Sequence, residues 1–312
     1  MTYLKDELKG FVPVEVAPGI MDTIARGSSI LQLSDVKPMK SDTMKFQIWA
    51  DKPGAYWVGE SERINTSKAS WIFPEMQAKK IAVIIPCTKE KLNDTTIDVF
   101  NELKPQIAEA FYTAIDKACL FGDASPFPKN VFKSATDASN VVTVDTQSLD
   151  LDVSDLMATI EEKNLDANGF AGHYGLKRQL RNLRDANGNQ LAVMGTTENS
   201  LYDLPLTFVR NGAFDRTKAE LLCADWSKSI VGIREGLEFE VLKEATLHSV
   251  TMDDGKPLSL AENDMIAIKA TMRLAYLPIK DDAFAVLKPK ALVLNAKANS
   301  DELDDTQELV TP

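Results

Sequence analysis

Residues 94–122, DTTIDVFNELKPQIAEAFYTAIDKACLFG, decide how the rest of the chain is read. Phe100, Leu103, Ile107, Phe111, Ile115 and Ala118 recur every three or four positions, which places them on one face of a helix. Asp94-Thr95-Thr96-Ile97-Asp98 offers an N-cap with capping-box-like spacing, and Gly122 supplies the stop. The pattern predicts a helix of roughly 26 residues, hence about 39 Å long at 1.5 Å per residue. Pro105 removes one hydrogen bond inside it and is expected to bend it.

Just upstream, Lys79-Lys80-Ile81-Ala82-Val83-Ile84-Ile85 reads as a strand ended by Pro86. Between Lys45 and Trp71 lie three of the four tryptophans, Trp49, Trp57 and Trp71, with Phe46, Ile48, Tyr56 and Val58 around Ala50-Asp51-Lys52-Pro53-Gly54-Ala55. Aromatic strands flanking a Pro-Gly turn predict a long β-hairpin, which needs a packing surface because a lone two-stranded ribbon is marginal in water. Residues 1–43 hold Phe11, Val12, Val14, Val16, Ile20, Met21, Ile24, Ile30, Leu31 and Leu33, interrupted by Pro13, Pro18, Gly19 and Gly27. With so little periodicity this segment reads as an extended arm that buries its apolar residues elsewhere, for instance on another subunit.

Downstream, Asn140-Val141-Val142-Thr143-Val144 suggests a short strand, Ser154-Asp155 caps a helix to about Lys163, and a third helix is expected from Tyr174 to Asp185. The alternation of Ile233, Glu235, Leu237, Phe239 and Val241 gives a half-buried strand, and Ile266 to Leu274 a second. Asp253-Asp254-Gly255-Lys256 marks a hairpin turn between them. After Lys290 come Asp301, Glu302, Asp304, Asp305 and Glu308, an acidic, solvated tail. The whole predicts an α+β chain.

Composition narrows function. The 312 residues are 44% hydrophobic and 26% charged, a globular balance, and 35 basic against 46 acidic residues leave a net charge of −11. No global positive field attracts nucleic acid or an anionic membrane. Cys87, Cys119 and Cys223, odd in number and far apart, fit neither a disulfide framework nor a zinc knuckle and are expected as reduced thiols. No uninterrupted apolar run reaches the length of a transmembrane helix, and the N-terminus lacks a signal-peptide layout, so a soluble chain made without export is expected.

Chemistry is sparse. His173 and His248 lie in no metal or nucleophile motif, and each reads as structural or surface. Asp185, Asn187 and Asn189 resemble the start of a calcium loop, but Gly188 comes two positions early and Thr196 stands where a bidentate Glu is required. No phosphate-binding glycine pattern occurs. Lys177, Arg178, Arg181 and Arg184 ring much of one helix, where a solvated face is a commoner role than anion contact. Catalytic, cofactor-binding and metal residues are therefore expected to be absent, and the protruding hairpin and arm belong to a protein that assembles.

The order of elements is the recognisable feature. The arm leads to a hairpin ending Val58-Gly59-Glu60. Then come Lys79 to Pro86, and Asp94 opening the long helix to Ala114-Ile115-Asp116-Lys117-Ala118-Cys119-Leu120-Phe121-Gly122-Asp123. Later come Leu204-Pro205-Leu206, Ala224-Asp225-Trp226, Gly232-Ile233-Arg234 to Val241, Met272-Arg273-Leu274-Ala275-Tyr276 and Asp282-Ala283-Phe284. Over about residues 1–290 this resembles the tailed-bacteriophage major capsid proteins of the Hong Kong 97-like fold. The resemblance implies an N-arm (1–43), an extended E-loop hairpin (44–75), and a peripheral domain (76–149, with a spine helix at 96–121) completed by 229–290. It also implies an inserted axial domain (150–228), leaving the acidic tail at 291–312.

It implies a non-enzymatic shell protein that self-assembles into hexamers and pentamers of an icosahedral or prolate capsid enclosing double-stranded DNA without sequence-specific binding. Such a chain needs no cofactor and no membrane. It is assembled in the bacterial host cytoplasm and resides in the virion, with a separate scaffolding protein, a portal, a maturation protease and room for a decoration protein as partners. Some members join an E-loop lysine to a neighbour's asparagine with a glutamate as base; the corresponding positions here are Ile64, Asp264 and Thr271, so the resemblance implies shells without covalent cross-links. Phe11, Ile20, Trp49, Tyr56 and Trp57 are the candidates for apolar inter-subunit contact, and Glu60, Glu62, Arg63 and Lys68 for salt bridges, with contact inside their own subunit as the alternative for each. An encapsulin, a bacterial shell of the same fold around an enzyme cargo, is the alternative function, followed by a cytosolic enzyme with an unrecognised site.

Overall fold

The computed structural model describes residues 27–51, 53–63, 66–68, 70–89, 99–144, 149–184, 200–209, 212–252 and 255–290. The expected long helix is α2 (Val99–Leu120), and Gly122, at φ +75°, ends it in the left-handed region that a glycine enters without penalty. Ile107, Phe111, Ile115 and Cys119, four residues apart, form its buried stripe. The capping segment at Asp94 lies outside the described residues.

On one side of that stripe is a four-stranded sheet of β1 (Asp35–Pro38), β6 (Lys79–Thr88), β12 (Ser229–Leu242) and β15 (Met265–Pro278), ordered β1-β12-β15-β6. The alternation at Ile233–Val241 and the run at Ile266–Leu274 are borne out as parts of β12 and β15. Strand β6 does not end at Pro86 but runs on to Thr88, with Pro86 opposite Ala267. As the last strand of the sheet it tolerates a residue with no amide hydrogen.

The second sheet comprises β7 (Val141–Thr143), β8 (Gly169–His173), β9 (Ser200–Leu201), β10 (Leu204–Val209), β11 (Leu221–Ala224) and β16 (Phe284–Lys288), ordered β7-β16-β11-β8-β10-β9. It is apolar on both faces. Ala171, Leu222, Ala224, Phe284 and Val286 share a core with α2, whereas Phe170, Leu221, Cys223, Ala285 and Leu287 pack under α4 (Leu149–Glu161) and α5 (Leu176–Arg181). This sheet departs from the expected segment boundaries at 150 and 228, because β7 and β16 enter it from either flank. Helix α4 starts at Leu149 rather than Ser154, with Asp150 and Asp152 complementing the partial positive charge of its first turn. Helix α5 is shorter than the expected 174–185; residues 185–199 lie outside the described residues.

The arm expected over 1–43 is corrected from residue 27 onward. Ser29–Leu33 form α1, and Ile30 and Leu31 bury in the chain's own core rather than on a partner. The reason is a buried carboxylate 87 residues away in α2: Asp116 accepts hydrogen bonds from Ser28 Oγ at 2.6 Å, Ser29 N–H at 3.0 Å and Ile30 N–H at 3.2 Å. Strand β1 then pairs in parallel with β12, Asp35 opposite Ile230. A buried relay of hydroxyls, Ser34 Oγ to Ser229 Oγ at 2.7 Å and Ser229 Oγ to Tyr276 Oη at 3.1 Å, joins the entry to β1 to β12 and β15. Helix α3 (Val131–Asp137) is capped by Asn130, whose side chain accepts from Lys133 N–H.

Candidate assembly surface

The aromatic hairpin exists, but its turn does not sit at Pro53-Gly54. Strands β2 (Thr43–Lys45) and β5 (Glu75–Gln77) pair at its base, and β3 (Ile48–Asp51) pairs with β4 (Ser70–Ile72) above them, Trp49 opposite Trp71 with their rings in contact and tilted by 33°. Pro53-Gly54 therefore lies in the long connection after β3. Two local bonds shape the connection: Gly54 N–H donates to Ser67 Oγ at 2.7 Å, and Gly59 N–H donates to Glu62 Oε2 at 3.1 Å, closing a turn in which Ser61 takes φ +69°. A last ribbon, β13 (Thr246–Thr251) with β14 (Pro257–Ser259), matches the hairpin expected around Gly255, which takes φ +79°.

The connection buries almost nothing within its own chain. Trp57 is as exposed as in an extended peptide (104%), and Tyr56, Val58, Trp49, Trp71, Ile72 and Phe73 are exposed too. Glu60, Glu62, Arg63 and Lys68 are likewise exposed, and only Glu62 has a described use, in the Gly59 turn. Phe11, Ile20 and Ile64 lie outside the described residues. The sequence reading missed Ile72 and Phe73, although the triplet Trp71-Ile72-Phe73 on the returning strand was a signal in plain view. Contiguous apolar surface of this kind marks an interaction site, since scattered single residues do not need explaining and clusters do.

A second feature was not legible in sequence. Register shifts in β12 around Glu235 and Glu238 open a groove of about 720 Å³ on the outer face of the four-stranded sheet. Its charges are partly matched: Lys269 Nζ bonds Glu240 Oε2 at 2.7 Å, and Arg273 reaches Glu235 and Asp42, both at 3.0 Å. The hydrogen bond to Glu235, reinforced by Asp42, raises the pKa of that guanidinium above its ordinary value. Lys80, opposite Arg273, and Glu238, opposite Thr271, are exposed and have no ionic partner among the described residues. Thr271 thus lines the groove, whereas Asp264 sits just before β15, paired with Lys89.

The remaining sequence candidates are structural in these surroundings. Nε2 of buried His173 lies 2.6 Å from Glu220 Oε2, and His248 is exposed on β13. Burial pushes the thiols of Cys119 and Cys223 well up from their ordinary range. No helix among the described residues is long and apolar enough to cross a membrane.

Comparison with known proteins decides the family. The phage capsid family model matches residues 9–288. This chain belongs to the phage capsid family. The capsid-family chain is 37% identical over 288 residues to the major capsid protein of Staphylococcus phage 80alpha, covering 92% of this chain and 87% of that protein. It superposes on a solved structure from Microbacterium phage Oxtober96 with a TM-score of 0.77 at 29% identity, over 85% of this chain and 91% of the other. A structure from Mycobacterium phage Adephagia gives 0.75 at 25% identity, over 93% and 99%. The mixed α+β architecture is the phage capsid fold.

Proposed function

We propose that this protein is the major capsid protein of a tailed phage, assembling as hexamers and pentamers into a closed shell around double-stranded DNA. The observation that carries the reading is Trp57, fully exposed within a loop whose aromatic neighbours are also uncovered; only a partner surface makes such a loop stable in water. In this reading the hairpin of residues 44–75 is an E-loop lying on a neighbouring copy, with Trp49, Tyr56 and Trp57 as its apolar contacts and Glu60, Glu62, Arg63 and Lys68 at the rim. The partly unpaired groove beside Thr271 is a surface of suitable polarity to receive the rim. The N-terminal residues including Phe11 and Ile20 form the arm, α2 belongs to a peripheral domain, and the six-stranded sheet with α4 and α5 forms most of an axial one.

Shell stability then comes from interface area, because obligate interfaces bury roughly 2,000 to 5,000 Å² and are apolar at their centres. Ile64 supplies no amine, Asp264 no amide and Thr271 no carboxylic base at the respective places a cross-link would need, so the shell is held non-covalently. An acidic chain does not condense DNA, so the genome enters through a portal, and scaffold and maturation protease are separate proteins. Size exclusion with light scattering, followed by negative-stain microscopy, tests the proposal. Pentamers, hexamers or shells are expected; a compact monomer under assembly conditions refutes it, and a ladder of multimers on a denaturing gel refutes the non-covalent shell.

A further inference from the structure

Helix α5 and the turn after it carry Lys177, Arg178, Arg181 and Arg184, and Arg216 lies beside them, a guanidinium nitrogen 4.0 Å from where a Cβ on Gly175 would sit. The four arginines are exposed. None of the five cations has a carboxylate partner among the described residues. Arg181 Nε donates to Lys177 O at 3.3 Å, Arg184 donates to the carbonyls of Arg181 and Leu183, and Lys177 Nζ stands 5.8 Å from the centre of the Phe208 ring. Among the described residues, the acids close to Arg216 in sequence are engaged: Glu220 with His173, and Asp215 with Thr217 and Lys218. Buried Leu176 and Leu180 fix the helix, so the charges are held on one solid surface. In a chain of net charge −11, such a concentration of unmatched positive charge stands out.

The topology puts a matching strip of negative charge within reach. Strands β8 and β16 both run antiparallel to β11, with Gly172 and Leu287 each opposite Leu221, so they are parallel and end at the same edge of the sheet. Two strand spacings separate them, about 10 Å. From β8 the chain turns directly into α5; from β16 it leaves toward residue 301. Asp301, Glu302, Asp304, Asp305 and Glu308 follow, with no basic residue after Lys297. The eleven residue steps from Lys290 to Asp301 span at most about 40 Å, several times the gap to be bridged.

We propose that the acidic stretch 301–308 docks on the cationic face of α5 and Arg216 in its own chain. Five carboxylates meet five cations, and the short tether gives the stretch an effective concentration that free polyanions do not match. Docked, it covers this basic patch, leaving little positive field to draw nucleic acid to this face. This inference does not depend on how copies assemble.

Zero-length carbodiimide coupling of the full chain tests it: the reagent activates a carboxylate, and a lysine amine in contact displaces the urea to form an amide. Wild type and the charge-preserving variants Arg178→Lys and Arg181→Lys are expected to yield peptides joining positions 177, 178 or 181 to 301–308. The links should appear at about 50 mM salt and vanish near 1 M, where the screening length falls to about 3 Å. A mixture of ¹⁵N-labelled and unlabelled chains should give same-label pairs only. The double variant Arg178→Glu and Arg181→Glu, at exposed positions, should lose the Lys177 links. A short duplex DNA should bind wild type at least about tenfold more weakly than the variant with all five acids changed to amides. No links in any of the three proteins, links that survive charge reversal, mixed-label pairs, or equal DNA binding to wild type and the amide variant would each overturn the proposal.

Discussion

Replacing Asp116 by alanine should unfasten the start of the described chain. Its carboxylate accepts from Ser28 Oγ, Ser29 N–H and Ile30 N–H, and residues 28–30 are 0 to 3% exposed, so water cannot take over those donors. Three orphaned donors, the Ser28 hydroxyl and the two backbone amides, cost about 1 to 3 kcal/mol each, partly offset because an ionised group no longer has to be buried. A net loss of about 3 to 5 kcal/mol is expected for Asp116→Ala. Asp116→Asn keeps one oxygen to accept from Ser28 Oγ and Ile30 N–H but sets an NH2 against Ser29 N–H, and should lose about 1 to 3 kcal/mol for that one orphaned donor. Urea unfolding of unassembled protein gives both numbers, and amide hydrogen exchange at Ser29 and Ile30 should accelerate far more in the alanine variant. Equal losses for the two variants, or a loss below about 1 kcal/mol for alanine, would show that the bonds to Asp116 do not hold this segment.

Gly122→Ala should destabilise the chain by about 1 to 3 kcal/mol in the same assay, since φ is +75° and a Cβ would stand 2.4 Å from Asn130 Nδ2, the side chain that caps α3. Native protein at pH 8 should titrate rapidly with a thiol reagent at no more than one cysteine, Cys87, because buried Cys119 and Cys223 hold the thiol form far above that pH; all three should react in urea. Trp57→Ala should leave the unfolding midpoint of the unassembled chain within about 0.5 kcal/mol of wild type while reducing the assembled fraction in light scattering. A large loss of monomer stability would place Trp57 in its own subunit's core instead.

What could be read in the sequence was what repeats locally. The four-residue stripe of α2, the alternation in β12 and the hairpin of β13 and β14 that closes near Gly255 each have their cause within a few neighbours, and all three stand, although Asp253 and Asp254 lie outside the described residues. Two of the errors share one origin, a partner far along the chain. Pro53-Gly54 is a good local turn signal, but the pairing of Trp49 with Trp71 sets the hairpin register and pushes the proline into the connection. Ser28 caps α1, its side chain accepting from Leu31 N–H, yet without Asp116 nothing in the sequence marks residues 29–33 as core. The brevity of β7 and β16, three and five residues, hid that they belong in the inserted sheet. At the candidate surface, the aromatic loop was legible because its composition lacked any internal partner. The groove was not, because three strands and an irregularity in pairing create it.

The parallel pairing of β1 with β12 sets an order on biosynthesis. Asp35 cannot meet Ile230 until roughly 195 further residues have been made, which at 5 to 20 residues per second takes a ribosome about 10 to 40 s. During that interval Val36 and the residues around it have no sheet to join, and every closure that waits on them carries the entropy of a very long loop. A nascent chain therefore lacks the first strand of its four-stranded sheet until late in synthesis, and chains truncated before about residue 230 should be clients for chaperones rather than partners for finished copies.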